Sequence, residues 1–227
     1  MVRKTKAEAE ETRQQILDAA EQVFLRQGVA RTSLQEIAQV AGLTRGAVYW
    51  HFENKAALFQ AMMDRVIMPC EGAIAELEAA PEQDTLNVLS RLARAPLQDL
   101  ASTPQVQRVF TIAMHFTEYT GELAHQLEEH RQGIQRYIGQ LEAVLARAQA
   151  TGQLAAHIQA RAAALGLFSL IDGLMYHWTL APTSFDLLDI GQRTIDTFVS
   201  GLRFRAAAPS APAPTPPQSP SAPTPAI

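Results

Sequence analysis

The chain has 227 residues, of which 47% are hydrophobic, 7% aromatic and 19% charged, and its 19 Lys and Arg against 23 Asp and Glu give a formal net charge of −4. That is apolar material for one or two packed domains, and the charge excludes a uniformly basic nucleic-acid coat. A lone Cys70 excludes an intramolecular disulfide; with no Cys/His zinc spacing, no apolar run of about 18 residues and no export leader, a cytoplasmic chain with no metal, cofactor or membrane partner is expected.

Residues 1–55 carry eight basic against seven acidic groups and all three lysines, while the remainder carries 11 basic against 16 acidic groups. The head is therefore where a polyanion is expected. Arg3, Lys4 and Lys6 lie in an arm (1–8) that reads either as a solvated terminus or as a phosphate or minor-groove contact. Glu8, Glu10 and Glu11 suit the first turn of a helix, where the dipole favours them. Ile16, Leu17, Ala20, Val23 and Phe24 then recur at helical spacing, predicting a helix that Gly28 stops.

Thr32 to Lys55 is the most informative stretch. Ser33 with Glu36 forms a capping box that opens a short helix with Leu34, Ile37 and Ala38 inward. Ala41-Gly42-Leu43 makes a turn, and Thr44 caps a second helix whose Val48 faces back into a small core. Ala38 permits close crossing of the two helices and Gly42 the positive φ of the turn, which is helix-turn-helix spacing; this domain is read as 9–55. The outward side of the second helix carries Thr44, Arg45, Gly46, Ala47, Tyr49 and Trp50. Short Gly46 and Ala47 allow close approach to the major groove, and Arg45 suits bidentate reading of guanine. Tyr49, His51, Lys55 and the hydroxyls of Thr32, Ser33 and Thr44 suit phosphates. Tyr49 is expected to face DNA and Phe52 the core.

A helical body (56–205) follows. Pro69 should kink or end the helix that begins near Asn54, and Pro96 should kink one that starts after Thr85. Thr103-Pro104 marks another start. Leu123, Leu127, Ile134, Ile138, Leu141, Leu145 and Ala148 make a long stripe ended by Thr151-Gly152. Leu165, Phe168, Ile171, Leu174, Met175 and Trp178 make another, ended before Pro182. Leu188, Ile195, Phe198, Val199 and Leu202 make the last, after the Ser184 and Asp186 start signals. Strand-like alternation is absent, so the fold class is all-α. Residues 206–227 hold eight of the 13 prolines and no charge, a composition read as a disordered tail.

The first 60 or so residues resemble the DNA-binding head of the TetR family of bacterial transcriptional regulators. The resemblance rests on the run Thr12 to Ala20, on Phe24 and Gly28, on Thr32-Ser33-Leu34, and on Tyr49-Trp50-His51-Phe52 with Lys55. It is closest to the AcrR-like repressors of multidrug efflux pumps, and a weaker likeness runs through Gly121-Glu122, Gly173-Leu174-Met175 and Ala181 to Leu187. The resemblance implies nine or ten helices, a dimer formed by the last two, and a ligand cavity in the body.

These readings combine into a ligand-responsive transcriptional repressor of an efflux operon, a homodimer on a palindromic double-stranded DNA operator, released by a small hydrophobic or cationic ligand. Met62, Val66, Leu92, Phe110 and Met114 are candidate apolar lining, together with Tyr137, Phe168 and Tyr176. Asp172 needs a partner, in the protein or in a ligand, and as a pocket group it would supply counter-charge. His115 reads either as a satisfied interior histidine or as a pocket hydrogen-bonding group. Leu174, Trp178, Phe198 and Leu202 are candidate dimer contacts, with Gly166, Gly173 and Gly191 allowing close approach. His125, Glu129 and His130 read as solvated surface. Two alternatives compete: an all-helical enzyme with a fused DNA-binding head, disfavoured because no phosphate loop, nucleophile elbow or metal-spaced pair is legible, and a ligand-independent architectural protein with a solid body. An apolar cavity of several hundred Å³ would favour the ligand-responsive reading.

Overall fold

Thr5 opens the first helix with a capping box: its hydroxyl accepts from the Glu8 N–H while its own N–H donates to the Glu8 carboxylate. The computed structural model describes residues 5–66 and 84–203; the expectations for Arg3, Lys4, Pro69, Cys70 and the Pro-rich tail lie outside them. Helix α1 (Lys6–Gln27) buries Ile16, Leu17, Ala20, Val23 and Phe24 and ends at Gly28, whose φ of 80° favours glycine. Helices α2 (Leu34–Val40) and α3 (Arg45–His51) are joined by a tight turn in which Gly42 takes a φ of 67° and the Leu43 N–H donates to the Ala38 carbonyl at 2.8 Å. Ala38 and Val48 are fully buried where the two helices meet α1. Helix α4 (Lys55–Met63), capped by the Asn54 side chain, adds Leu58, Phe59 and Met62 to the same core.

The body comprises α5 (Thr85–Ser102), α6 (Pro104–His115), a 3-10 turn at Gly121–Leu123, α7 (Ala124–Ala150), α8 (Ala160–Leu180) and α9 (Leu187–Leu202). Asp84 and Asp186 cap α5 and α9 by accepting backbone N–H groups at 2.9–3.2 Å. Among the described residues the structure is nine α-helices and one 3-10 turn, and its extended pairing is an isolated bridge between Leu154 and Arg203. Helix α5 runs on through Pro96, which is buried among its neighbours. The body core gathers residues of α5, α7, α8 and α9, such as Leu89, Leu97, Leu141, Leu167 and Ile195. The head core is separate, but Val109, Ile112 and Leu123 belong to it. Packing therefore joins α4 and the inner edge of α6 to the head, and the two cores do not part at residue 55.

Two expectations change here. Leu127, assigned to the long stripe, is 42% exposed. Gly166 and Gly191 make room inside one protomer: a Cβ on Gly166 would touch the Phe198 ring, and one on Gly191 would run into Leu97.

Candidate nucleic-acid interface and ligand cavity

The outer face of α3 is positioned by its own N-cap, Thr44, whose hydroxyl accepts from the Ala47 N–H at 3.2 Å, and by Val48 on the opposite side. Arg45, Gly46, Tyr49 and Trp50 are exposed on it, with Trp50 73% exposed. Arg45 lies over the Tyr49 ring at 5.1 Å and donates to its hydroxyl at 3.2 Å. A guanidinium held this way keeps its remaining donors free for a base edge. Ala47 and His51 are half-buried, and His51 sits edge-on to Trp50 at 4.5 Å. Ser33 is exposed, and its hydrogen bonds to Glu36 hold that carboxyl below its ordinary value. Phe52 is buried, with the Arg13 guanidinium 5.4 Å from its ring centre.

Two expected phosphate contacts are corrected. Thr32 is buried, and its hydroxyl donates to the Gly28 carbonyl at 2.8 Å. Lys55 is buried too: its Nζ donates to the carbonyls of Ala30 at 3.1 Å and Thr32 at 2.9 Å and pairs with Glu122 at 2.9 Å. Both residues satisfy carbonyls around the α1–α2 loop from inside the fold.

Between α4, α6, α7 and α8 lies a cavity of about 560 Å³, within the usual range for small-molecule sites. Val66, Phe110, Met114, Tyr137, Phe168 and Asp172 line it. Four other candidates do not. Met62 is fully buried in the head core, because the face of α4 that meets the cavity carries Phe59 and Met63. Leu92 packs on the body core. His115 bonds Thr179 through Nε2 at 2.9 Å with the Tyr176 ring 4.8 Å away, and burial lowers its pKa; Tyr176 itself is 39% exposed. Pro96 is also remote, since no residue of α5 borders the cavity.

One wall of the cavity is polar. Tyr119, Gln126, Glu129 and His130 stand there with Asp172. His130 stacks on Tyr119 at 5.7 Å, and Tyr119 meets Phe59 edge-on at 6.3 Å. Burial raises the Asp172 carboxyl above its ordinary value against the opposing pull of His130. Burial likewise lowers the His130 imidazole, against the pull of Asp172. Tyr119 Oη and Gln126 Oε1 are buried without a hydrogen-bond partner. Aromatic and aliphatic surface with carboxylates and a few hydrogen-bonding groups suits a greasy molecule carrying a cation or a donor. The surface reading of Glu129 and His130 is thereby corrected. Gln126, His130, Gly133, Tyr137 and Gln140 follow helical spacing, but as a row about 100° round the helix from Leu127, Ile134, Ile138 and Leu141, and Glu129 lies outside it.

Of the dimer candidates, Leu202 is buried in its own protomer's core, and Leu174, Trp178 and Phe198 are half-buried against that core. The large apolar side chains left exposed on the last two helices are Leu165, Tyr176 and Leu180 on α8 and Leu188 and Ile190 on α9.

An outward helix-turn-helix, packed through α4 and α6 against a body with a ligand-sized cavity, defines a one-component DNA-binding regulator. Residues 16–62 match the model of the bacterial regulatory proteins of the tetR family, and residues 84–204 match that of the MAATS-type transcriptional repressor C-terminal region. The HTH-type transcriptional regulator TtgR of Pseudomonas putida is 37% identical over 204 residues, covering 90% of this chain and 97% of that one. The chain belongs to the TetR family of bacterial transcriptional regulators. Among solved structures, NalD, the secondary repressor of the MexAB-OprM multidrug efflux pump in Pseudomonas aeruginosa, superposes with a TM-score of 0.79 at 37% identity, over 87% of this chain and 98% of that one. The complex of SmeT with triclosan superposes with a TM-score of 0.72 at 29% identity, over 92% and 100%; SmeT is the repressor of the Stenotrophomonas maltophilia pump SmeDEF.

Proposed function

We propose that the chain is a ligand-responsive repressor of a multidrug efflux operon, acting as a cytoplasmic homodimer on a palindromic operator and released by small hydrophobic or cationic molecules. The observation that carries this is the cavity of about 560 Å³, which borders α4, the helix shared with the DNA-binding head. A ligand-independent architectural protein has no use for such a void, whose lining forfeits packing energy when empty. The repressor roles of NalD and SmeT and the triclosan bound by SmeT support the same reading. Exposed Leu165, Leu180 and Leu188 supply an apolar face for a second copy. A dimer sets two α3 helices in successive major grooves, so the operator is two-fold symmetric. The ligand acts through its differential affinity for operator-competent and operator-incompetent dimers.

The test is a mobility shift on DNA flanking the chain's own gene, with and without a panel of hydrophobic cations and triclosan. A discrete complex that at least one of these compounds dissolves is the expected result. A complex indifferent to every compound, together with no binding of any of them to the free protein, would sink the ligand-responsive reading.

A further inference from the structure

Helix α4 is pinned by ions at both ends. At its start Lys55 joins the α1–α2 loop to Glu122 in the 3-10 turn before α7. Just past its end Arg65 meets a second cluster. Glu21, on α1, has a fully buried side chain. Its Oε1 accepts from Arg65 at 2.6 Å and its Oε2 from Arg108, on α6, at 2.8 Å. Arg65 also reaches Asp18 at 2.7 Å. Gln105, with its amide oxygen turned to the guanidinium, accepts from Arg65 at 2.7 Å.

The two arginines come from segments that form two of the cavity's walls. Asp64 and Val66, on either side of Arg65, line it, and so do Val109 and Phe110, next to Arg108. The carboxylate they share comes from the head, on the helix that packs against α2, which in turn packs against α3. A displacement of either wall must therefore part an arginine from a buried carboxylate or carry α1 with it. Parting either arginine leaves the buried carboxylate with only one of its two cationic partners, which costs more than a small rigid shift of a helix. Salt does little to screen the Arg65–Glu21 pair, whose side chains are 14% and 0% exposed.

Resting on the ligand-responsive reading above, we infer that Glu21 is the link through which the head feels the cavity's occupant: the Arg65–Glu21–Arg108 cluster turns spreading of the α4 and α6 walls into movement of α1. Glu21 touches neither ligand nor operator, so it acts as a positioning residue. Its loss changes coupling more than either affinity. That pattern distinguishes it from a cavity residue, whose loss changes ligand affinity, and from an α3 residue, whose loss changes operator affinity.

The decisive variant is Arg108→Gln. Arg108 is 38% exposed, so its removal cuts one arm while the fold and the Arg65 arm stay. Operator binding on the flanking DNA and calorimetric binding of tetraphenylphosphonium and triclosan should each stay within about threefold of the parent. The factor by which a saturating probe weakens operator binding should drop from tenfold or more toward one, with Arg108→Lys intermediate and Glu21→Gln at least as uncoupled as Arg108→Gln. A second readout needs no ligand: operator DNA should slow amide exchange over 105–110 in the parent and not in Arg108→Gln. Equal release of parent and Arg108→Gln by a probe overturns the inference, as does the absence of operator-dependent protection at 105–110 in the parent. If neither probe binds the parent, the ligand reading fails on that count, and the exchange readout alone decides the clamp.

Discussion

Replacing Lys55 by Met separates two roles that a lysine at the start of α4 could play. Its side chain is 9% exposed, and its ammonium serves the carbonyls of Ala30 and Thr32 and the carboxylate of Glu122. Hydrogen bonds from a charged donor contribute about 1.5–3 kcal/mol each. Ala30 is exposed and Glu122 is 52% exposed, so water replaces the ammonium at both; the Glu122 pair counts for about 0–1 kcal/mol. The Thr32 carbonyl, bonded on the buried side, has no such replacement. The sum is a loss of about 1.5–4 kcal/mol. For a domain of this size it appears as a fall in Tm of roughly 5–15 °C. Differential scanning calorimetry measures that fall, and binding to flanking DNA from about 50 to 200 mM salt measures phosphate contact. Lys55→Met should melt early yet keep the parent's slope of log K against log salt. An unchanged Tm with a slope shallower by about 1 per lysine removed would place Lys55 on a phosphate and refute the argument from burial.

Arg45→Ala should weaken operator binding by about 1–3 kcal/mol and relax preference at one base pair per half-site; unchanged selectivity in a randomised-site selection would remove Arg45 from base readout. Leu180→Glu, at a side chain 62% exposed, should give folded monomers with weakened operator binding, checked by sedimentation and far-UV circular dichroism. His130 is depressed below its ordinary 6.5 by burial, so the unfolded chain binds more protons as the pH falls through that range. Stability should therefore drop as pH falls from the ordinary value through the folded one, and His130→Gln should flatten that part of the thermal-unfolding profile. The Asp172 carboxyl is raised by burial, so tetraphenylphosphonium should bind more tightly as pH rises through its range; a calorimetric pH series on Asp172→Asn should lose that dependence.

The helices and turn of the head were legible because their signals are local. Ser33, Gly42 and Thr44 act on their own turn of chain, and the small core of Ala38 and Val48 leaves α3 few other orientations. The cavity was half legible for the opposite reason. Its walls come from four helices, and periodicity along one helix says which face is inward, not which inward residue fronts a void. Met62 and Met63 are adjacent in sequence, yet the first fills the head core and the second borders the cavity. Polarity misled at His130, which lies at the edge of the inward face of α7, half-buried, but reads as surface from its charged neighbours. The Glu21 cluster joins residues 44 and 87 positions apart, and no local pattern announces it. Lys55 was misplaced because a lysine beside a DNA-binding helix suggests phosphate, whereas three acceptors inside the fold hold it.

The most direct test of linkage between cavity and head is the operator Kd, read by anisotropy on the flanking DNA, with and without saturating tetraphenylphosphonium whose binding calorimetry has confirmed. The Kd should rise at least tenfold, about 1.4 kcal/mol, and operator DNA should weaken probe binding by the same factor, as linkage requires. A probe that fills the cavity and leaves the operator Kd unchanged would contradict the account.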